Sequence, residues 1–577
     1  MIFADIAHTF DKLEHTASRI EMTKLLSVLY RQLSVREIDK VSYLLQGRVA
    51  PVYEKLDFGL AERLVFKAAV NAFSLSEKEA KREWEKGGDL GIVIEKYRGT
   101  ANLLFQNTTP LSVSEVFELL YKIPGLSGSG SQEGKLGVLA DLFQQLDPLS
   151  CRYVVRMVTA KLRLGFSDMT VLDAFSWMLS GDKQHRKEIE RAYNVHPDLG
   201  FIGRTLKEAG VLGLEHVKPI PGVPILMARA ERVPEPEVIF EKIGSCAVEP
   251  KYDGFRLQIH VLKTHSVHIY SRNMENVAFM YPDIVAAAQK ELGGHEVIIE
   301  GEAIGYDLKN DHYLPFQETV QRKRKHDIAS KSVEIPLRLF AFDLLYCDGE
   351  SYLTKGYQER RQKLHSIVSK NAEVISVTKV TIAENAGQIE QLFRTAISEG
   401  LEGIMAKKLD GTYEAGARGW NWIKFKHSYG SRLVDTLDCV VMGYDYGQGK
   451  RTGFGIGAFL VGVFNKKTDK FVTVAKIGTG LTDDEWRSLK TLCNKHAVKE
   501  RPAVYDVNKE LSVDQWVQPA VVVEIRADEL TRSTMHTALL ALRFPRLEKF
   551  RADKSANEVS ELTELQHMSA GQKRVAL

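Results

Sequence analysis

The chain has 577 residues, well beyond what one core holds, so three or four domains are expected. Its 44% hydrophobic and 27% charged content is that of an ordinary globular protein. The net charge of +3 neither demands nor excludes nucleic acid, because binding depends on where Lys and Arg cluster. The five cysteines (Cys151, Cys246, Cys347, Cys439, Cys493) form no CxxC pair, which argues against a thiolate zinc site and for buried apolar residues in a reducing compartment. The opening segment MIFADIAHTFDKLEHTASRIE carries charge throughout and lacks the apolar core of a signal peptide. No apolar run is long enough to span a bilayer, and a cytoplasmic location is expected.

The first two hundred residues read as helices. Apolar positions recur at helical spacing from Met22 to Tyr30, and again at Leu136, Leu139, Leu142, Phe143 and Leu146. Ser76 with Glu79 three residues on is a capping-box signature, so a helix is expected to start there. Residues 1–214 are taken as one all-α domain. Prolines at 219, 221, 224, 234 and 236 then mark an extended connector, whose apolar Val223, Ile225 and Leu226 suit docking on a neighbour.

From about Ser245 the period changes to two. Leu257, Ile259 and Val261 alternate with Arg256, Gln258 and His260, and strands recur at Val297–Ile304, Leu337–Leu345 and Gly403–Lys407. Residues 215–428 read as an α+β domain with a largely antiparallel sheet. After about Tyr429 short strands dominate, at Asp438–Tyr444, Gly457–Phe464, Phe471–Ile477 and Ala520–Ile525. Residues 429–577 read as a small β-barrel with a polar C-terminal segment, a helix or a loose tail.

The middle part carries the chemistry. In Glu249-Pro-Lys-Tyr-Asp-Gly-Phe-Arg256 a lysine ends a strand before a tight Asp-Gly turn. A lysine nucleophile needs a lowered pKa, which cations and desolvation supply. Alone, KxDG also describes a hairpin with an exposed lysine. Ser271-Arg-Asn273 adds a cation after the next strand. Glu300 and Glu302 share one strand face, which suits a hard cation such as Mg²⁺ or a solvated surface. Phe342 suits a base stack or a core. Glu402 opens a strand, and Lys424 and Lys426 share a strand face, which suits an anion between them or a solvent-facing edge strand.

The ordered set KYDGFR, SRN, EGEA, FAFDLLY, EGIMAK, WIKFK resembles the six motifs of the covalent nucleotidyltransferases, the superfamily of DNA ligases, RNA ligases and capping enzymes. Tyr281-Pro-Asp-Ile284, Pro315-Phe-Gln317 with Arg322-Lys-Arg-Lys325, Arg543-Phe-Pro-Arg546 and Arg551-Ala-Asp-Lys554 are similar to segments of ATP-dependent DNA ligases of the archaeal and eukaryotic replicative kind. Gly128–Gln132 and Lys161-Leu-Arg-Leu-Gly165 resemble that family's DNA-binding domain.

The resemblance implies an all-α DNA-binding domain, a nucleotidyltransferase (adenylation) domain and an OB-fold. It implies ATP and Mg²⁺, a lysyl-AMP intermediate on Lys251, and nicked duplex DNA as substrate, in replication, repair and recombination. By the same likeness Glu249 contacts adenine and Phe342 stacks on it. Arg256, Arg272 and Glu302 hold ribose and phosphate, and Arg418, Lys424 and Lys426 hold phosphates. Glu302 and Glu402 serve the metal, Arg551 and Lys554 orient pyrophosphate, and Lys161 and Arg163 grip DNA backbone. RKRK next to PFQ reads as a DNA-phosphate contact. A nucleoid-associated monomer is expected, with a hinge near His427–Ser431.

Three features are weighed against this likeness. The family's clamp-binding box is not matched by Ala101-Asn-Leu-Leu-Phe-Gln106, which leaves a sliding-clamp partner without a recognisable box. Ser127–Lys135 fails the phosphate-loop pattern because position 129 is Ser and Leu136 follows the lysine. Gly453–Gly457 precedes a strand rather than a helix and reads as a turn. The rival readings are an RNA-joining or capping enzyme, which the long helical domain argues against, and a DNA-binding scaffold without catalysis. Lysine adenylation separates the second from an enzyme.

Overall fold

The computed structural model describes the chain apart from residues 88, 101–109, 129, 163, 293, 308–311, 325–326, 427–435, 448 and 575–577. Arg163, Lys325, Ala101–Gln106 and the hinge at His427–Ser431 therefore lie outside the described residues. The chain forms two compact units. One comprises Met1–Arg229, Asp253–Thr378 and Leu409–Asn421, the other Ala230–Tyr252, Lys379–Lys408 and Trp422–Leu577. The middle part of the chain contributes to both units.

Twelve α-helices lie between Phe3 and Glu215 among the described residues. The helix Arg19–Gln32 starts behind Ser18, whose side chain accepts the Glu21 N–H, and it buries Met22, Leu26, Leu29 and Tyr30. Ser131–Gln145 buries Leu136, Leu139, Leu142 and Phe143, as the spacing predicts. A helix begins at Glu77, beside the Ser76 signal. The connector is only partly extended. Arg229–Arg232 is a strand, and Pro236 opens the helix Pro236–Ile243. Proline is tolerated there because the first turn of a helix has no use for its missing N–H.

In chain order the middle strands are β1 (Arg229–Arg232), β2 (Cys246–Lys251), β3 (Phe255–Val261), β4 (Val267–Ser271), β5 (Val297–Asp307) and β6 (His312–Tyr313). They continue with β7 (Leu337–Cys347), β8 (Glu350–Ser351), β9 (Ile375–Val377), β10 (Thr381–Ala383), β11 (Gly403–Lys408) and β12 (Arg418–Lys426). One sheet runs β4-β3-β5-β7-β8, with β6 on β5 and β9 parallel to β7. Leu257, Ile259, Val297, Ile299, Leu339 and Leu344 bury its core face. A second, five-stranded sheet runs β1-β12-β11-β2-β10. Its core face carries Val248, Ile404, Ala406, Ile423 and Phe425 against Ile239 and Ile389 from flanking helices.

The C-terminal part is an eight-stranded sheet. Leu437–Asp445 pairs with Ala458–Asn465, which pairs with Lys470–Ile477, and Leu437–Asp445 also pairs with Val522–Arg526. Register shifts at Val441/Gly443 and Val461/Gly462 bend it around Val441, Phe459, Val461, Val474 and Trp486. Gly453 lies in a short 3₁₀ turn before a strand, as read from the sequence. The C-terminal segment is the helix Leu562–Arg574, with Leu565 buried.

A buried ion pair ties the first unit's sheet to a helix and a loop. Arg360, on the helix Tyr357–Ile367, donates from Nε to Asp343 Oδ1 at 2.7 Å and from Nη2 to Oδ2 at 3.1 Å. Its Nη1 donates to the carbonyls of Lys355 (2.6 Å) and Gly411 (2.8 Å). Removing one member leaves the other charged and unpaired in the interior. Arg360→Met is expected to destabilise the protein by about 3–5 kcal/mol in chemical denaturation. An unchanged midpoint would show that the pair holds nothing together.

Candidate active site

Strand register builds the first group of residues. Across β2, β11 and β12, Lys251 lies opposite Gly403, and Gly403 opposite Lys426. The next row on the same face is Glu249, Met405 and Lys424, and the third is Ala247, Lys407 and Trp422. The alternate rows fill the core described above, so the pleat sends these polar residues to the other face. Gly403 sits at φ 149°, and a Cβ there would collide with the Phe425 carbonyl. Only glycine fits between the two lysines.

Glu402, one residue before that glycine, forms ion pairs with both Lys251 and Lys426. Its N–H donates to the Lys251 carbonyl at 3.1 Å, which fixes the carboxylate beside the lysine. Glu249 is buried and paired with Lys407 at 2.9 Å, and the Lys407 ammonium stands 4.6 Å from the Trp422 ring centroid. Lys424 and Lys426 lie on an interior strand, not on an exposed edge.

The second group lies on β3 and β5. Arg256, Gln258 and His260 occupy one face of β3, and all three work. Arg256 donates to Glu300 Oε2 and to the Ala228 carbonyl, both at 2.6 Å. Gln258 donates to Glu300 Oε1 at 3.1 Å and exchanges hydrogen bonds with the Ile225 backbone at 2.8 and 3.1 Å. Tyr413 Oη donates to Glu300 Oε2 at 2.9 Å and accepts the Ala228 N–H at 3.0 Å. Burial works against the Arg256 charge, and Glu300 with Tyr413 more than restores it, so the guanidinium titrates above its ordinary value. Burial first, then Glu300, holds the Tyr413 hydroxyl well above its ordinary value.

Two expectations need correction. Glu300 is neither half of a metal pair nor part of a solvated strand face. It is fully buried, and Arg256, Gln258 and Tyr413 occupy its carboxylate. Arg322, in the RKRK run, is 2% exposed; it donates to Asp283 at 2.7 Å and to the Ile335 carbonyl at 3.2 Å. Such a guanidinium is structural and does not meet DNA.

The other expected residues are distributed as follows. Glu302 and Phe342 are half-buried on β5 and β7, and the Arg256 guanidinium lies 5.4 Å from the Phe342 ring centroid. Arg272 and Arg418 are exposed. Lys161 is half-exposed and paired with Glu62 at 2.7 Å. Arg551 (2.9 Å) and Lys554 (2.6 Å) converge on Asp438, and Arg551 also pairs with Asp553 and Glu524. Lys407, Gln258, His260 and Tyr413 were not singled out from the sequence. Lys407 stood inside EGIMAK two residues from Met405, and only the register reveals its reach to Glu249.

Known proteins resemble this chain along most of its length. Family models described as DNA ligase N terminus, ATP dependent DNA ligase domain and ATP dependent DNA ligase C terminal region match residues 2–176, 227–426 and 452–554. A probable DNA ligase of Dictyoglomus thermophilum is 44% identical over 100% of this chain and 98% of its own length. A DNA ligase of Pyrobaculum islandicum is 38% identical over the whole of both chains. A solved structure named Pmar-Lig_PreS3, 16% identical, shares the fold with a TM-score of 0.55 over 94% of this chain and 99% of that one. The chain belongs to the ATP-dependent DNA ligase family. It is an enzyme that seals nicks in DNA, with ATP as co-substrate and Mg²⁺ as the usual metal of the family.

The interior ladder on β3 has a pH signature. His260 is fully buried; its Nδ1 accepts the Gly222 N–H at 3.1 Å and its Nε2 lies 2.8 Å from Gln258 Oε1. Gln258 Oε1 can only accept, so the ring is neutral with its proton on Nε2. Burial, with His268 adding to it, pushes the His260 pKa down to about 3. Between about pH 3 and the ordinary value near 6.5, the unfolded chain binds a proton that the folded one does not. Stability is therefore present above the ordinary value and lost as pH falls. Lowering pH from 7 to 5 should cost about 2 kcal/mol through this residue alone. Denaturation curves of wild type and His260→Gln should converge by that amount over this range, and parallel curves would contradict the assignment.

Proposed function

We propose that Lys251 is the nucleophile of this ligase and that Glu402 is the residue that orients and deprotonates it. The observation that carries the reading is the pairing of one carboxylate with Lys251 and Lys426 across a glycine that leaves room for both. The Lys251 ammonium gives one proton to Glu402, and the neutral amine attacks the α-phosphorus of ATP and releases its second proton to solvent. A phosphoramidate bond forms as the bond to the β-phosphate breaks, and pyrophosphate leaves. AMP then passes to the 5′-phosphate of the nick, and the 3′-hydroxyl displaces it. Phosphoryl transfer of this kind depends on positioning and charge neutralisation.

The remaining roles follow the same reading. Glu249, held in place by Lys407, reads the adenine, and Phe342 stacks on it. Arg256, Arg272 and Glu302 hold ribose and phosphate. Arg418, Lys424 and Lys426 neutralise the phosphates. Glu302 and Glu402 would hold Mg²⁺, since carboxylate oxygens are the hard donors it prefers, and the ion would supply charge neutralisation there. Arg551 and Lys554 exchange Asp438 for the leaving pyrophosphate. Lys161 exchanges Glu62 for DNA phosphate, an easy exchange because an exposed ion pair is worth about 1 kcal/mol or less. The enzyme acts as a monomer on nicked DNA in the cytoplasm, in replication, repair and recombination.

Two assays test this together. With α-labelled ATP, wild type should retain label through denaturing electrophoresis and discharge it on nicked DNA. Lys251→Ala should take no label yet still seal a nick that is already adenylated. Glu402→Gln should label more slowly by roughly 100-fold, the scale of a lost proton acceptor. Labelling of Lys251→Ala, or labelling of wild type by GTP or NAD but not ATP, would overturn the reading.

A further inference from the structure

Away from these residues, three potential metal ligands meet at one end of the first unit's sheet. His295 precedes β5, Cys347 ends β7, and Asp348 forms the following turn. Their donor atoms all lie within 4.8 Å of one another. His295 Nδ1 is 2.6 Å from Asp348 Oδ2, and Cys347 Sγ is 3.5 Å from the same oxygen. Asp348 Oδ1 accepts the Glu296 N–H at 2.9 Å, which aims Oδ2 at the other two donors. Cys347 is buried, while His295 and Asp348 are partly open to solvent, so the sulfur forms the floor and the other two the rim.

We propose that His295, Cys347 and Asp348 form a binding site for one borderline divalent ion of the Zn²⁺ class, with water as the fourth ligand. A tetrahedral ion at the usual Zn–S and Zn–O lengths needs a sulfur–oxygen edge of about 3.5 Å, which the Cys347–Asp348 distance already matches. The imidazole–carboxylate edge needs about 3.3 Å against the 2.6 Å here, so the partly exposed His295 ring must withdraw by about 0.7 Å. One thiolate, one imidazole and one carboxylate favour Zn²⁺ or Co²⁺ over Mg²⁺, which takes oxygen ligands. The Glu296 N–H supplies the outer hydrogen bond that orients a ligating carboxylate. An ion here pins the loop before β5 to the β7–β8 turn, apart from the residues assigned to catalysis. The site does not depend on a CxxC pair, so the cysteine spacing gives no hint of it.

The test uses the full-length protein, stripped with a chelator and titrated with Co²⁺. Wild type should bind one Co²⁺ with a near-ultraviolet thiolate charge-transfer band and the visible bands of tetrahedral cobalt. Cys347→Ser should lose the charge-transfer band. Asp348→Asn, in an exposed turn, should bind Zn²⁺ at least about tenfold more weakly. Mg²⁺-dependent nick sealing should be unchanged in both variants. No thiolate band in folded wild type would overturn the site. So would an equal band in Cys347→Ser, or equal Zn²⁺ affinity in Asp348→Asn.

Discussion

One carboxylate shared by two ammonium groups organises the candidate active site. Lys251 and Lys426 stand in one cross-strand row on either side of Gly403, where like charges on one sheet face repel. Glu402 removes that cost by pairing with both. The arrangement is available only because position 403 is glycine, since a side chain there would meet the Phe425 carbonyl. The same economy recurs further along the face, where Glu249 of the second row and Lys407 of the third neutralise each other in the interior. The sheet thus holds a cationic face suited to a polyphosphate, with Lys251, Lys426 and Lys407 each paired to a carboxylate.

The first unit meets a related constraint with hydrogen bonds. Its β3 strand spends one whole face on polar residues, and burying them requires a partner for every donor. Glu300 accepts from Arg256, Gln258 and Tyr413 at once, and Gln258 and His260 in turn bind the backbone of residues 222–225. The proline-rich connector is therefore fastened to the sheet by backbone groups that proline does not remove. This is the docking that the apolar Val223, Ile225 and Leu226 suit, and Ile225 is buried.

Much of this was legible in the sequence. Helical spacing at Leu136–Leu146 and two-residue alternation at Leu257–Val261 translate directly into buried faces, because burial on one side imposes the period. The motif order identified Lys251, Glu402, Lys424 and Lys426 as a set, and the register brings these onto neighbouring strands. What could not be read was which charged residues are buried. Arg322 sits in a run that reads as a basic surface, yet Asp283, 39 residues earlier in the chain, takes it into the interior. Glu300 and Glu302 look alike on one strand, and only the neighbours Gln258 and Tyr413 make the first of them structural. Partners distant in sequence set these roles, and periodicity carries no record of them.

The account stands or falls on which amine becomes adenylated. The direct measurement is incubation of the full-length protein with ATP and Mg²⁺, followed by proteolysis and mass spectrometry under conditions that preserve a phosphoramidate. AMP on the peptide containing Lys251, and on no other, is the predicted result. AMP on Lys424, Lys426 or Lys407, or no adenylated peptide from active enzyme, would contradict the account.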